Sequence, residues 1–229
     1  MVTAGTVCSA LSSPGQSFLL SLYVEPLIAD TGVSRVGLAT LYGACTLAAA
    51  ACLPLAGRIA DRVTGRRYMT WVLLCMALAL ALLASARGAA ALAIAFFMLR
   101  LFGQGAIGLG TLTATVRWFR RRRARALSVV GLGYAAGEML FPAVVLLLTA
   151  LVGWRGSLWL LAVLYAAVFA PGIALLLRER DTAADDEYYR EMVPPEITLG
   201  VIASHANRPF TVREATRTRT FWLALTIVV

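Results

Sequence analysis

The stretch AAALAIAFFMLRLFGQGAIGLGTLTATV, residues 89–116, decides how this chain is built. At 1.5 Å per residue it is long enough to cross the roughly 30 Å of bilayer hydrocarbon as one helix, with every backbone N–H and C=O paired inside the segment. Its single charge is Arg100, near the middle. An arginine at that depth costs roughly 2.5–3.5 kcal/mol on insertion scales, so a segment that keeps one has a use for it. Arg100, Gln104, Gly108, Thr111 and Thr115 recur at spacings of four, four, three and four, which predicts one polar stripe on one helix face. Such a stripe is expected to turn to the bundle interior or to a wet cavity.

The rest of the chain agrees with a membrane setting. Its 229 residues are 60% hydrophobic and 14% charged, with a mean hydropathy of +0.78, against about 45–50% and 25% in soluble domains. Six stretches reach spanning length, at residues 2–29, 36–56, 68–86, 89–116, 126–152 and 157–177. A seventh apolar run begins at Phe221 and the sequence stops at Val229, so the expectation is a chain cut just into its seventh helix. The fold class is therefore all-α integral membrane: a six-helix amino-terminal bundle over 1–177, a linker over 178–220 and the start of a further span over 221–229. The first run lacks a basic leader and carries Pro14 and Gly15, so it reads as a retained span and not a signal peptide.

All 21 basic residues are arginine, giving a net charge of +9. Four arginines follow the second stretch, six the fourth and seven the sixth, against one each after the first, third and fifth. The positive-inside rule then puts the amino terminus and the linker in the cytoplasm, with the chain a multi-pass protein of the cell inner (plasma) membrane. The run Arg120 to Arg125 beside two spans suits anionic lipid better than nucleic acid, so no nucleic-acid partner is expected.

Enzyme chemistry has no foothold in the sequence. Cys8, Cys45, Cys52 and Cys75 all fall within spans without metal-ligand spacing and read as small packing residues. His205 stands alone in the linker, beyond the acidic run at 181–187, and is assigned no metal. No nucleophile elbow, zinc-protease or phosphate-loop motif occurs, so neither an enzyme nor a cofactor is expected.

The polar residues within the spans are the candidate site. Glu138, with Tyr134 one turn before it, lies at a depth in the fifth span within about 5 Å of Arg100 in the fourth, which permits an ion pair between the two helices. That pair reads either as a fixed bridge or as a protonatable carboxylate coupled to substrate. The first span is interrupted by SSPGQS at 12–17, where proline removes a backbone hydrogen bond. Interrupted helices at mid-membrane often line binding sites. Ser9, Ser13, Gln16 and Tyr23 share a face there, leaving two readings: a ligand site, or a kink satisfied by neighbouring hydroxyls. Gly103, Gly105, Gly108 and Gly110, with Gly133 and Gly137, predict close helix packing.

The segment GRIADRVTGRR, 57–67, resembles the signature loop of the major facilitator superfamily, with two residues, Val63 and Thr64, before Gly65 where the usual pattern has one. The resemblance implies a gate motif of Gly57, Asp61, Arg62, Gly65, Arg66 and Arg67 that latches the cytoplasmic ends of two halves, the opposite half being absent from this chain. SSPGQSFLLSLYVEPLI (12–28), RLFGQG (100–105), WFRRRRARALSVVGLGYAAGEMLFP (118–142) and GWR (153–155) are similar to the oxalate/formate and monocarboxylate branch. By that resemblance Arg100 matches an intramembrane arginine associated with proton coupling or anion handling. The resemblance to the drug antiporters is looser, since Pro142 follows Gly137 at a distance of five residues.

The reading is a secondary active transporter of a small organic anion, a monocarboxylate or dicarboxylate, working by alternating access. Its partners are the lipid bilayer, the anionic substrate, a proton as a coupling ion, and the missing carboxy-terminal half. Ser13, Gln16, Arg100, Gln104, Tyr134 and Glu138 are the substrate and coupling residues, with Arg100 supplying charge and Glu138 modulating it. The rivals are a proton-coupled drug or sugar exporter of the same superfamily and a non-transporting membrane scaffold or receptor.

Overall fold

A computed structural model describes residues 2–119 and 123–177, all helices and short connections, with no strand among them. The linker, the start of the seventh span and the arginines at 120–122 lie outside the described residues. Among the described residues four helices are long and apolar enough to cross a membrane: Arg35–Arg62, Gly65–Ser85, Ala89–Trp118 and Ala124–Leu176. They cover the second to sixth expected stretches to within one residue at each end.

The last of these holds two crossings. Gly153 takes φ 74° and ψ 168°, a left-handed conformation that side chains resist and glycine tolerates. Beyond it the chain reverses: Thr149 Oγ1 donates to Ser157 Oγ at 3.3 Å, although eight residues of straight helix would separate them by about 12 Å. The expected fifth and sixth spans, ending at 152 and beginning at 157, bracket that turn. At the second span, Ser34 caps the helix by accepting the Gly37 N–H at 3.1 Å, which satisfies one of the orphan donors of the first turn.

The first span is broken where proline and glycine fall. Helix runs over Val2–Ala10, tightens to a 3-10 turn at Ser13–Gly15, and resumes through Ser17–Leu20, Ser21–Tyr23 and Val24–Thr31. The backbone groups loosened by the break find side chains. Ser12 and Ser13 hydroxyls donate to the carbonyls of Ser9 and Ala10, each at 2.7 Å. Tyr165, fully buried in the sixth span, donates to the Leu11 carbonyl.

Packing is densest around the third span, whose most apolar stretch is 56% buried against 17% for the second span. Leu73, Met76, Ala79 and Leu83 on it have no exposed surface. One contact fixes the height of the first span against the fourth: a Cβ built on Gly103 would stand 2.6 Å from the Gly15 Cα, and one on Gly15 would stand 2.5 Å from the Leu99 carbonyl oxygen. Only paired glycines permit that approach. At the end opposite the gate motif, Arg155 binds the Asp30 carboxylate at 3.1 Å and the carbonyls of Ala84 and Ala86 at 2.6 and 2.9 Å, stacked 4.5 Å from the centre of the Trp154 ring. It thereby ties the first, third and sixth spans together.

Gly103→Ala is expected to destabilise the bundle by about 1–3 kcal/mol, the usual cost of overpacking. Gly57→Ala, where an added Cβ meets nothing within 4 Å, is expected to be neutral. Thermal unfolding of both variants in detergent checks the contrast; equal behaviour would mean that the glycine contact sets nothing.

Candidate functional site

The broken first span and the fourth span meet at Arg100. Between Ala89–Met98 and Ile107–Trp118 the fourth span widens into a π-helix over Leu99–Ala106, a feature that often marks functional positions. There Arg100 Nη1 donates to the Gly15 carbonyl at 3.2 Å and to Ser17 Oγ at 3.4 Å. The guanidinium carbon lies 5.1 Å from the centre of the Tyr42 ring, within cation–π range. Tyr42 closes the triangle, its hydroxyl 2.8 Å from Ser17 Oγ. Its ring stands edge-on to Phe96, with centroids 5.7 Å apart.

Arg100 is only 9% exposed, yet its Nε has no hydrogen-bond partner. A buried donor left unpaired costs about 1–3 kcal/mol, more on a charged group. Beside it opens a pocket of about 390 Å³, walled by Thr46, Ala49 and Leu53 of the second span and by Arg100, Gln104 and Gly108 of the fourth. The Tyr134 hydroxyl reaches the same region from the fifth span, 2.9 Å from where a Cβ on Gly108 would stand. On the far side of Tyr42 a second pocket of about 310 Å³ is lined by Ser17, Ser21, Arg35, Leu38 and Tyr42. Tyr42 and Ser17 thus stand between the second pocket and Arg100.

This geometry sorts the residues singled out in the sequence. Arg100, Gln104 and Gly108 share one pocket, with Tyr134 beside it. Gln16 is half-buried next to the Gly15 carbonyl that Arg100 binds, and Gln104 is exposed. The face carrying Ser9, Ser13 and Tyr23 turns inward instead of toward a ligand: the three are 0%, 2% and 2% exposed, and Tyr23 hydrogen-bonds Ser157 at 3.1 Å. Ser13 is sealed by Gly137, whose added Cβ would stand 2.3 Å from the Ser13 hydroxyl oxygen. Of the two readings of that break, satisfied neighbours describe Ser12 and Ser13, while Ser9 Oγ and Arg100 Nε are buried without a hydrogen-bond partner.

Two expectations are corrected. Arg100 and Glu138 form no ion pair; the pairs among the described residues are Glu25–Arg35, Asp61–Arg117 and Asp30–Arg155. Matching depth was not enough, because the Gly15 carbonyl and the Ser17 hydroxyl of the first span take the guanidinium, while Glu138 lies on an exposed face of the fifth. The five-residue stripe also divides. The π-helix carries more residues per turn, so the register shifts: Gln104 is exposed while Thr111 and Thr115 are each 4% exposed. Thr115 faces the first span, 3.3 Å from where a Cβ on Gly5 would stand.

In the gate motif, Arg117 at the end of the fourth span holds Asp61 through its carboxylate at 3.3 Å and its carbonyl at 3.2 Å. Gly57 and Gly65 are half-buried, and Arg62, Arg66 and Arg67 are exposed. Sequence reasoning missed Tyr42, Ser17 and Arg117. A lone tyrosine facing an arginine-bearing span was the available signal for the first; Arg117 was counted only as a loop charge.

A family model described as Major Facilitator Superfamily matches residues 5–229. The chain belongs to this superfamily. Its described part is then a multi-pass membrane bundle of the amino-terminal half type, in a family of secondary transporters and not of enzymes. Comparison with curated proteins gives no match.

Tyr42→Phe keeps the ring beneath the guanidinium and loses only the Ser17 contact, whereas Tyr42→Ala loses both. The expected order of thermal stability is wild type, Phe, then Ala, with the second step worth about 0.5–2 kcal/mol. If the Phe variant falls as far as Ala, the hydroxyl and not the ring holds Arg100.

Proposed function

We propose that this superfamily member carries a small organic anion, a monocarboxylate or dicarboxylate, by alternating access. The single observation behind this reading is the buried Arg100, which lines the pocket between the second and fourth spans and whose Nε has no hydrogen-bond partner. A carboxylate is the ligand that suits it. Planar guanidinium and planar carboxylate match in two parallel hydrogen bonds, each stronger than the bonds Arg100 now makes to a neutral carbonyl and a hydroxyl.

In this reading Gln104 and Gln16 supply neutral polar contacts, the Tyr134 hydroxyl closes the pocket from the fifth span, and Ser13 supports the break from beneath. Glu138, on the exposed face of the fifth span, adds a negative charge or a proton as the bundle moves. Alternating access requires a second bundle facing this one, with residues 178–220 as the tether between them. Asp61, held by Arg117, and the neighbouring Gly57, Arg62, Gly65, Arg66 and Arg67 form the gate where the two bundles close. The arginine-rich end faces the cytoplasm and the protein resides in the plasma membrane, following the bias of loop arginines.

Uptake of labelled monocarboxylates and dicarboxylates into proteoliposomes tests the proposal. Arg100→Gln is expected to lower uptake at least about thirtyfold, as loss of one member of a desolvated charge pair does. Arg100→Lys, which keeps charge but not the fork, is expected to fall between. Transport of hydrophobic cations or sugars instead, unaltered by Arg100→Gln, would move the chain to the exporter reading. No flux of any solute would leave the scaffold reading.

A further inference from the structure

The gate-motif arginines do not act as one group. Asp61 takes Arg117, from another span, as its ion-pair partner. Arg66 and Arg67 have no ion-pair or side-chain hydrogen-bond partner among the described residues. They stand in the first turn of the third span and, with Thr70 and Trp71, make one face of that helix at spacings of one and four. Ala174 near the end of the sixth span completes a pocket of about 460 Å³ with these four side chains.

The chemistry of this pocket is that of an interface between oil and water. Trp71 is 68% exposed and lies about 9 Å along the helix from Gly65, the level at which tryptophan rings settle among headgroups. Thr70 donates its hydroxyl proton to the Arg66 carbonyl at 2.9 Å, so the two guanidiniums are the donors that remain. An anion of the size of a phosphodiester fits both the charge and the space. The apolar walls from Trp71 and Ala174 run along spans that the bilayer surrounds, which favours a source with acyl chains over a free ion in water.

We propose that Arg66, Arg67 and Trp71 form a headgroup site for an anionic phospholipid, seated between the third and sixth spans at the arginine-rich end. The site is independent of what the protein transports. It adds a lipid contact to Arg66 and Arg67 of the gate motif, whose Asp61 is paired with Arg117 of the fourth span.

The test uses the complete purified chain in detergent. Binding is read by quenching of tryptophan fluorescence with brominated phosphatidylglycerol, with brominated phosphatidylcholine and inorganic phosphate as the other arms. The expected result is saturable quenching by phosphatidylglycerol that shrinks in Trp71→Phe and weakens about thirtyfold in the Arg66→Gln, Arg67→Gln double variant. Arg58→Gln, which removes an exposed charge from the second span, is expected to leave affinity within about twofold. Unfolding temperature in detergent is followed for every variant, and Arg66→Lys, Arg67→Lys serves in place of the glutamine pair if that pair does not fold. Equal weakening by Arg58→Gln would overturn the site in favour of diffuse surface charge. Equal quenching by phosphatidylcholine would overturn the headgroup assignment. Displacement of the lipid by millimolar phosphate would overturn the lipid in favour of a soluble anion.

Discussion

Arg100 and the carbonyl of Gly15 are the contact on which the middle of this bundle depends. Each is costly alone in hydrocarbon. The proline break loosens carbonyls that no water at that depth can pair, and the arginine carries a charge that lipid does not solvate. Placed 3.2 Å apart they offset part of each other's cost. The rest of the local structure serves their meeting. Gly15 and Gly103 let the two backbones close, the π-helix swings Arg100 toward the break, and Tyr42 lays a π face beneath the charge. Remove the break and the arginine loses the Gly15 carbonyl as an acceptor; remove the arginine and that carbonyl loses a charged donor.

The other charges follow a different rule. Asp61–Arg117, Asp30–Arg155 and Glu25–Arg35 all sit toward the ends of their spans. Exposed pairs of this kind contribute little individually, about 0–1 kcal/mol, but Arg155 does more because it also binds two carbonyls at the end of the third span. The bundle is thus tied at its rims by several charged contacts and in its middle by one.

How much of this was legible depended on whether a local rule or a three-dimensional one decided the outcome. Apolar runs of spanning length gave the helices, since the bilayer leaves the backbone no alternative. Pro14 and Gly15 located the break, and Gly153 fell in the expected gap between spans, because both are backbone effects local in sequence. What did not follow was partner choice. Equal depth suggested Glu138 for Arg100, but depth along two helices says nothing of rotation about them, and the nearer acceptor was a carbonyl. The polar stripe failed midway for a related reason: a spacing of 3.6 residues was assumed across Leu99–Ala106, where the helix is π and Gln104 and Thr111 part company. Tyr42 went unremarked since its importance lies wholly in what another span brings beneath it.

The geometry at Arg100 also implies how binding there would be felt elsewhere. Its Nη1 is engaged with the first span and its Nε is not. On the proposed reading a carboxylate in the pocket beside Arg100 would meet one nitrogen of the guanidinium first, and a bidentate grip requires a second. If that nitrogen is Nη1, the ion displaces a neutral carbonyl, and a charged acceptor wins that exchange in a low-dielectric site. The Gly15 carbonyl, released, then needs a new donor, which movement of the break would supply. Tyr42 and Ser17 are bonded to the same cluster and lie against the second pocket, so any such movement reaches them next. Through Arg100, Tyr42 and Ser17 the wall of one pocket is in direct contact with the wall of the other.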